Sequence, residues 1–348
     1  MAGTATFHSR HWRMPTVTTL RLGWPRKVAA GLMVLIGGAF VIVTLLANLF
    51  HVGPAFDRLT DGFRPIMTHQ AISAAQQQVN GLSAAGTEIQ TKMLPALAQQ
   101  LHMTPTQVQQ MMAQQYPDVA KGLAQVQPIS KSFTGLLNNL DQTQPLFVSA
   151  DAIPTKDIPA TSVPWALLAV GVVSLGLGVL VWFSPRLGTP IVVTLMGAAL
   201  IALPLSMNMV HKASNADQMN ANLKPVYNQA LIDNASGALQ TLGAMGTQLQ
   251  QEMLPQLAAQ LHMTPTQLQH MLQTSFPNTA GALATLPKAM ANFRNMVGQF
   301  DKHLSDYNTL KPVSFEPIVW FMIGGGIALF LLGGAGVVIC RFGRRSTQ

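Results

Sequence analysis

Four uninterrupted apolar stretches stand out along the chain, at residues 28–50, 164–183, 190–207 and 317–340. None of them contains Asp, Glu, Lys or Arg. A helix needs about 20 apolar residues to cross the ~30 Å hydrocarbon core of a bilayer, and each stretch is about that long. The pattern therefore predicts an integral membrane protein with four transmembrane helices.

The first stretch follows a basic segment, as the apolar part of a secretion signal does. Its apolar core runs for 23 residues, whereas a cleavable signal has about 7–15, and no small-x-small cleavage pattern follows it. We therefore expect a retained signal anchor.

Between the spans, apolar residues recur at spacings of three, four and seven, which is the period of one helix face. No comparable run of alternating β-branched residues is found, so both long segments are predicted to be helical. The residues that carry the period are Val79, Leu82, Ile89, Met93, Leu97 and Leu101, and then Leu239, Leu242, Leu249, Met253, Leu257 and Leu261.

The chain repeats itself at an offset of 160 residues. Residues 93–111 and 253–271 are identical at 15 of 19 positions, and the stretch LHMTPTQ is unchanged in both. The match continues more weakly into the first and third spans, where Gly37 faces Gly197. Self-similarity of this kind indicates a duplicated structural unit.

Near the second and fourth spans the offset drops to 153, which aligns Pro164 with Pro317 and Gly171 with Gly324. A deletion of about seven residues in the second copy explains the change.

Each unit enters and leaves the membrane once, so both copies have the same orientation, as in other parallel-repeat membrane proteins. The predicted fold class is an all-α integral membrane protein with four transmembrane helices in two parallel-oriented tandem repeats. Each repeat is a span, a helical extracytoplasmic lobe and a second span.

The net charge of +8 is concentrated in three short flanks of the spans. Residues 1–27, 184–189 and 341–348 hold nine Lys and Arg residues and no acid, whereas residues 51–163 and 208–315 hold six cations each against seven and five acids, and Glu316 adds one more acid. Basic short flanks mark the cytoplasmic side of a plasma membrane. The charge therefore indicates orientation, with both termini and the central turn in the cytoplasm, and gives no support to nucleic-acid binding.

These observations divide the chain into nine parts. They are a basic cytoplasmic tail at 1–27, a span at 28–50, a first lobe at 51–163, a span at 164–183, a cytoplasmic turn at 184–189, a span at 190–207, a second lobe at 208–316, a span at 317–340 and a basic cytoplasmic tail at 341–348.

The repeated LHMTPTQ has the features of a corner between two helices. Thr104 can cap the next helix while Gln107 reaches back to it, and Pro105 at the first helical position loses no hydrogen bond. The following helix is expected to end before Pro117, because the residue before a proline avoids helical dihedrals. The same features recur from Thr264 onward.

Histidine and cysteine give weak functional signals. His102 and His262 in the repeated motif could bind a metal, but no other ligand stands at a suitable spacing, so a packed or surface histidine is favoured. His51 and His211 could sense pH, although an interfacial role is favoured. The single cysteine, Cys340, allows no intrachain disulfide, and an inert helix residue is favoured over palmitoylation.

Groups suited to catalysis are sparse. Asp141 recurs as Asp301, whereas Asp118 is replaced by Asn278. An acid–base dyad needs two converging carboxylates, and no GxSxG, HExxH, GxxxxGK or CxxC motif is found. No enzyme activity, catalytic residue, metal site or cofactor is therefore expected. The carboxylates considered are Glu88, Asp118, Asp141, Asp151, Asp157, Asp217, Asp233, Glu252, Asp301 and Asp306.

The spans are rich in glycine and nearly free of polar residues, which disfavours an ion pathway and favours close helix packing. Ser174-xxx-Gly178 and Gly324-xxx-Ala328 have the small-xxx-small spacing. Packing within the chain is favoured over docking of a partner.

The long segments carry Gln, Ala, Met, Asn and Thr where Glu and Lys are usual on solvated helices. Ordinary packing explains this, or else contact with a protein or with lipid. The leading expectation is a non-enzymatic scaffold or accessory subunit of a cell-envelope complex, with the lipid bilayer and other envelope proteins as partners. The alternative is a protein that binds lipid or another apolar ligand in a groove of the lobes.

Overall fold

The computed structural model of the chain describes residues 23–155, 158–183 and 188–345. It is 88% helix with no strand among the described residues, so the predicted all-α class is confirmed. Most of the N-terminal tail, residues 184–187 of the central turn, the last three residues and the candidate acid Asp157 lie outside the described ranges. The α-helices are α1 (Gly23–Leu46), α2 (Leu49–Phe63), α3 (His69–Glu88), α4 (Leu94–Gln100), α5 (Pro105–Gln115), α6 (Pro117–Ala150), α7 (Ser162–Phe183), α8 (Gly188–Ser206), α9 (Met209–Leu223), α10 (Gln229–Gln248), α11 (Leu254–Gln260), α12 (Pro265–Ser275), α13 (Pro277–Lys302), α14 (Leu304–Leu310) and α15 (Phe315–Arg345).

Four of these helices, α1, α7, α8 and α15, are long and apolar enough to cross a membrane. Their bounds differ slightly from the predicted spans. The first span helix ends at Leu46 instead of residue 50, because Asn48 has a left-handed backbone with φ of 52°, which interrupts a right-handed helix. Asn208 interrupts the chain after α8 in the same way, also with φ of 52°.

The span helices pack in two close pairs, α1 with α7 and α8 with α15. Glycine makes the close approach possible. A β-carbon at Gly37 would lie 2.7 Å from the carbonyl oxygen of Gly171, and one at Gly326 would lie 3.0 Å from that of Gly197. Packing within the chain is thus confirmed for these glycines. The prediction of packing within the chain is wrong for Gly324, because a β-carbon there would meet no atom within 4 Å.

The LHMTPTQ motif joins α4 to α5 and α11 to α12, as predicted. His102 and His262 have left-handed backbones, with φ of 54° and 55°. Beyond the first of them, the Met103 N–H donates to the carbonyl oxygen of Ala98 at 2.9 Å. This bond pattern, with one left-handed residue, is a common way to end a helix.

The predicted capping box then starts the next helix. The Gln107 N–H donates to the Thr104 hydroxyl, and the Thr104 N–H donates to the Gln107 side chain at 2.8 Å. Thr264 and Gln267 repeat the arrangement with the same 2.8 Å bond. The capping box and the helix bounds on either side confirm the helix–corner–helix interpretation.

A π-helical turn precedes α4 and α11, at Ile89–Met93 and Leu249–Met253. Each turn is followed by a proline at the second position of the next helix, Pro95 or Pro255. A proline ring collides with the carbonyl four residues earlier in a regular α-helix. The wider π turn lets the chain pass this proline without ending the helix.

The two long segments do not fold as two separate lobes, contrary to the expectation from the repeat. Helix α3 packs against α6 of its own segment and α13 of the other, and α10 packs against α13 and α6. Their buried side chains form one continuous cluster. At its centre Phe133 packs on Phe293, with ring centroids 5.2 Å apart. We call α2–α6 and α9–α14 together the helical body.

The structure also corrects the alignment of the second and fourth spans. The Asp57 carboxylate accepts hydrogen bonds from the backbone N–H of Ala160 at 2.8 Å and of the next residue at 3.0 Å, just before α7. Asp217 accepts the same two bonds from Phe315 and the next residue, at 2.8 and 3.0 Å. Ala160 and Phe315 are 155 residues apart. The equivalent offset here is therefore 155 and not 153.

Candidate apolar groove

The histidines at the membrane ends of α2 and α9 make local contacts. His51 Nδ1 lies 2.7 Å from Asn48 Oδ1, and His211 Nε2 lies 3.3 Å from Asn215 Nδ2. Within the described ranges, no three His, Cys, Asp or Glu side chains come together in an arrangement that could hold a metal ion.

Glu88 and Gln248 occupy equivalent positions and each caps a helix of the opposite segment. The buried Glu88 carboxylate accepts hydrogen bonds from the Thr279 backbone N–H at 2.8 Å and from the Thr279 hydroxyl at 3.0 Å, at the start of α13. The Gln248 side-chain oxygen accepts from the N–H groups of Asp118 at 2.9 Å and Val119 at 3.2 Å, at the start of α6. Free N–H groups at a helix start need such partners.

At each of these two contacts, the capping residue and the second residue of the capped helix together hold one carboxylate. Beside Glu88 stands the neutral Asn278, whose Nδ2 lies 3.3 Å from the carboxylate. Beside the neutral Gln248 stands Asp118. The replacement of Asp118 by Asn278 between the two copies thus has a physical reason, because two acids at one contact would repel.

A second polar contact between the segments joins α2 to α14. Arg58 donates to the Asp306 carboxylate at 2.6 and 3.0 Å, and His303 Nδ1 lies 3.1 Å from the same carboxylate. Burial opposes ionisation of Asp306, but the hydrogen bonds from Arg58 and His303 outweigh it and lower the pKa of that carboxyl. Burial raises the pKa of the neighbouring Tyr307 to about 12. The contact holds the segments together.

The remaining described candidate carboxylates are dispersed over the surface. Asp301 is exposed at the end of α13. The others pair with a neighbouring basic or amide side chain: Asp151 with Arg64 at 2.8 Å, Asp141 with His69 at 3.6 Å, Asp233 with Gln229 at 2.9 Å and Glu252 with Gln248 at 3.1 Å.

The helical body has an open groove of about 680 Å³ between α6 and α10. Its floor is apolar and buried. The floor residues are Ile129 and Phe133 from α6, Ile232 from α10, and Val297 and Phe300 from α13. This volume lies within the range of about 300–1,000 Å³ that is usual for small-molecule sites.

The rim of the groove combines apolar and uncharged polar side chains. On α6 it is formed by Pro128, Ser132 and Gly135, and on α10 by Leu231 and Asn234, all of which are exposed. Gln125 adds a third polar side chain at the end of the groove near Ala238. The site can therefore take an apolar molecule along its floor and satisfy a few polar atoms at its edge.

The equivalent surface between α13 and α3 is more closed at three of the five floor positions. The floor positions Ile232, Val297 and Phe300 are 6%, 7% and 6% exposed, whereas Ile72, Leu137 and Leu140 at the equivalent positions are 0%, 0% and 1% exposed.

Side-chain size accounts for much of this difference. Ser132 and Gly135 of the groove correspond to the larger Asn292 and Asn295, and Ala238 corresponds to Gln78. Leu231, Asn234 and Gln125 have the smaller equivalents Ala71, Ala74 and Thr285, but all three stand at the exposed rim. The sequence signal for the groove is therefore a set of small residues on α6 and α10 that the other copy replaces with larger ones.

Comparisons of the chain with protein-family models, with curated proteins and with solved structures find no match.

Proposed function

We propose that this chain is a non-enzymatic membrane protein that binds an apolar molecule, such as a lipid chain, in the groove between α6 and α10. The observation that carries the proposal is the cavity of about 680 Å³ with its wholly apolar floor. If no ligand occupied the groove, the side chains along its walls would lack dispersion contacts on that side. Occupation by an apolar chain restores these contacts and removes the floor from water.

We propose further that the chain is a tandem duplication in a plasma membrane, with the helical body outside the cytoplasm. The equivalent helix bounds, corners and aspartate caps of the two halves support the duplication. Phe133 and Phe293, equivalent positions in contact, support a twofold relation between the halves. The nine cations and absent acids of the three short flanks support the orientation.

Cysteine labelling tests the orientation. In a Cys340→Ser background, Ser275→Cys on the exposed end of α12 is expected to react with a membrane-impermeant maleimide in intact spheroplasts. Ser346→Cys in the C-terminal tail is expected to react only after the membrane is permeabilised. Reaction of Ser346→Cys in intact spheroplasts, with Ser275→Cys protected, would reverse the proposed topology.

A paired reporter tests binding in the groove. An environment-sensitive dye is attached to Asn234→Cys on the groove rim, and in a second protein to Ala74→Cys, the equivalent exposed position on α3. Both proteins are kept in an amphipathic polymer and titrated with dodecanol and with dodecanoate. We expect saturable dye responses at position 234 and none at position 74, because only the first adjoins the groove.

A scaffold role is the second candidate, and one feature of the body favours it. The helices α4, α5, α11 and α12 contain no Asp, Glu, Lys or Arg, although much of their surface is exposed. Depletion of charge is characteristic of the centre of a protein interface. Failure of both amphiphiles to affect the reporter at position 234 would favour this role over ligand binding.

A further inference from the structure

We infer that the groove selects an uncharged amphiphile, a long-chain alcohol or acylglycerol, and discriminates against anionic and cationic chains. This inference rests on the proposed function and specifies the ligand class of the same groove. It follows from the charges and the hydrogen-bonding groups of the groove lining.

The first argument is electrostatic. None of the 15 residues that line the groove is Asp, Glu, Lys, Arg or His. A carboxylate or phosphate bound there would give up part of its hydration without gaining an ion pair, which is unfavourable. The equivalent surface differs at one informative position, because Lys288 of α13 stands where the groove has Pro128.

The second argument concerns the polar atoms at the rim. Gln125 and Asn234 carry amides, and Ser132 carries a hydroxyl. The two amides can both donate and accept a hydrogen bond, and the Ser132 hydroxyl, which donates to the Pro128 carbonyl oxygen at 3.0 Å, can still accept one. A hydroxyl or ester group matches them without leaving a charge unpaired. The lining therefore complements a neutral polar group at one end of an apolar chain.

The experiment compares ligands of equal chain length in the dye-labelled Asn234→Cys protein. Dissociation constants are measured for dodecanol, dodecanoate and dodecylammonium at pH 8, with Pro128 and with Pro128→Lys. Gln125 and Ser132 keep their polar groups at the rim when position 234 carries the dye. Replacing the exposed Pro128 adds a cation to the rim and removes a proline from the interior of α6, which favours the helix. Gly281→Lys is the control, because a β-carbon at this exposed α13 position meets no atom within 4 Å.

With Pro128 in place we expect dodecanol to bind at least about tenfold more tightly than either ion. Relative to dodecanol binding, dodecanoate binding is expected to improve by about fivefold in Pro128→Lys, the effect of an exposed ion pair. Gly281→Lys should change neither. Dodecanoate binding as tight as that of dodecanol would overturn the inference and leave the proposed function intact. Absence of binding by all three amphiphiles would overturn the proposed function itself.

Discussion

Replacing Gly37 with leucine is expected to destabilise the protein by about 3 kcal/mol, whereas the same change at the adjacent Gly38 should cost less than about 0.5 kcal/mol. A β-carbon at Gly37 would lie 2.7 Å from the Gly171 carbonyl oxygen and 2.8 Å from the Leu175 backbone nitrogen. Neither atom belongs to a side chain that can rotate away, so α1 and α7 must separate. A β-carbon at Gly38 meets no atom within 4 Å.

Denaturant unfolding in mild detergent micelles measures both variants under one condition. The equivalent substitution, Gly197→Leu, supplies a second test, because its β-carbon would collide with the backbone nitrogen of Phe330 in the α8–α15 pair. Equal stability of the Gly37→Leu and Gly38→Leu proteins would contradict the packing of α1 on α7.

Replacing Asn278 with aspartate is expected to cost about 2 kcal/mol, and adding Glu88→Gln should recover about half of that loss. The Asn278 amide lies 3.3 Å from the buried Glu88 carboxylate. Two like charges about 4 Å apart repel by about 4 kcal/mol at an effective dielectric constant of 20, and the exposure of position 278 reduces this. The double variant reproduces the natural arrangement of Gln248 with Asp118 in the other half.

A double-mutant cycle measures this coupling by chemical denaturation. Glu88→Gln alone should cost only about 1 kcal/mol, because a glutamine oxygen can still accept from the Thr279 N–H. We expect a coupling free energy of about 2 kcal/mol between the substitutions at positions 88 and 278. Additive effects of the two substitutions would mean that the charges of Glu88 and position 278 do not interact.

The helices and their local ends were predictable from the sequence because short-range chemistry determines them. Uncharged apolar stretches identify the four spans, and Thr104 with Gln107 identifies the capping box. The joint at Asn48 was missed, since asparagine tolerates a left-handed backbone but does not require one.

The assembly of the helical body was not predictable in the same way. A helical period identifies an apolar face and does not specify which helix covers it, so α3 was expected to pack within its own segment alone. Asp57 and Asp217 recur at the offset of 160, but Asp57 was not among the candidate acids, so the recurrence of the pair was overlooked. Their role as caps depends on backbone N–H groups more than 90 residues away, whose position only the folded chain defines.

The groove lies furthest from what a single sequence can indicate. Ser132 and Gly135 are ordinary helix residues until α10 is placed opposite them. Comparison of the two copies shows that these residues are small where the equivalent surface has the larger Asn292 and Asn295.

Blocking the groove tests the central claim most directly. Gly135→Leu adds a side chain at the rim, where a β-carbon meets no atom within 4 Å, so the helix should tolerate it. Excluding only two buried methylene groups, at about 0.8 kcal/mol each, weakens binding about tenfold. We predict that the dye at position 234 shows at least about tenfold weaker dodecanol binding in Gly135→Leu and unchanged binding in the control Gly281→Leu. Unchanged binding in Gly135→Leu would contradict the assignment of the groove as the ligand site.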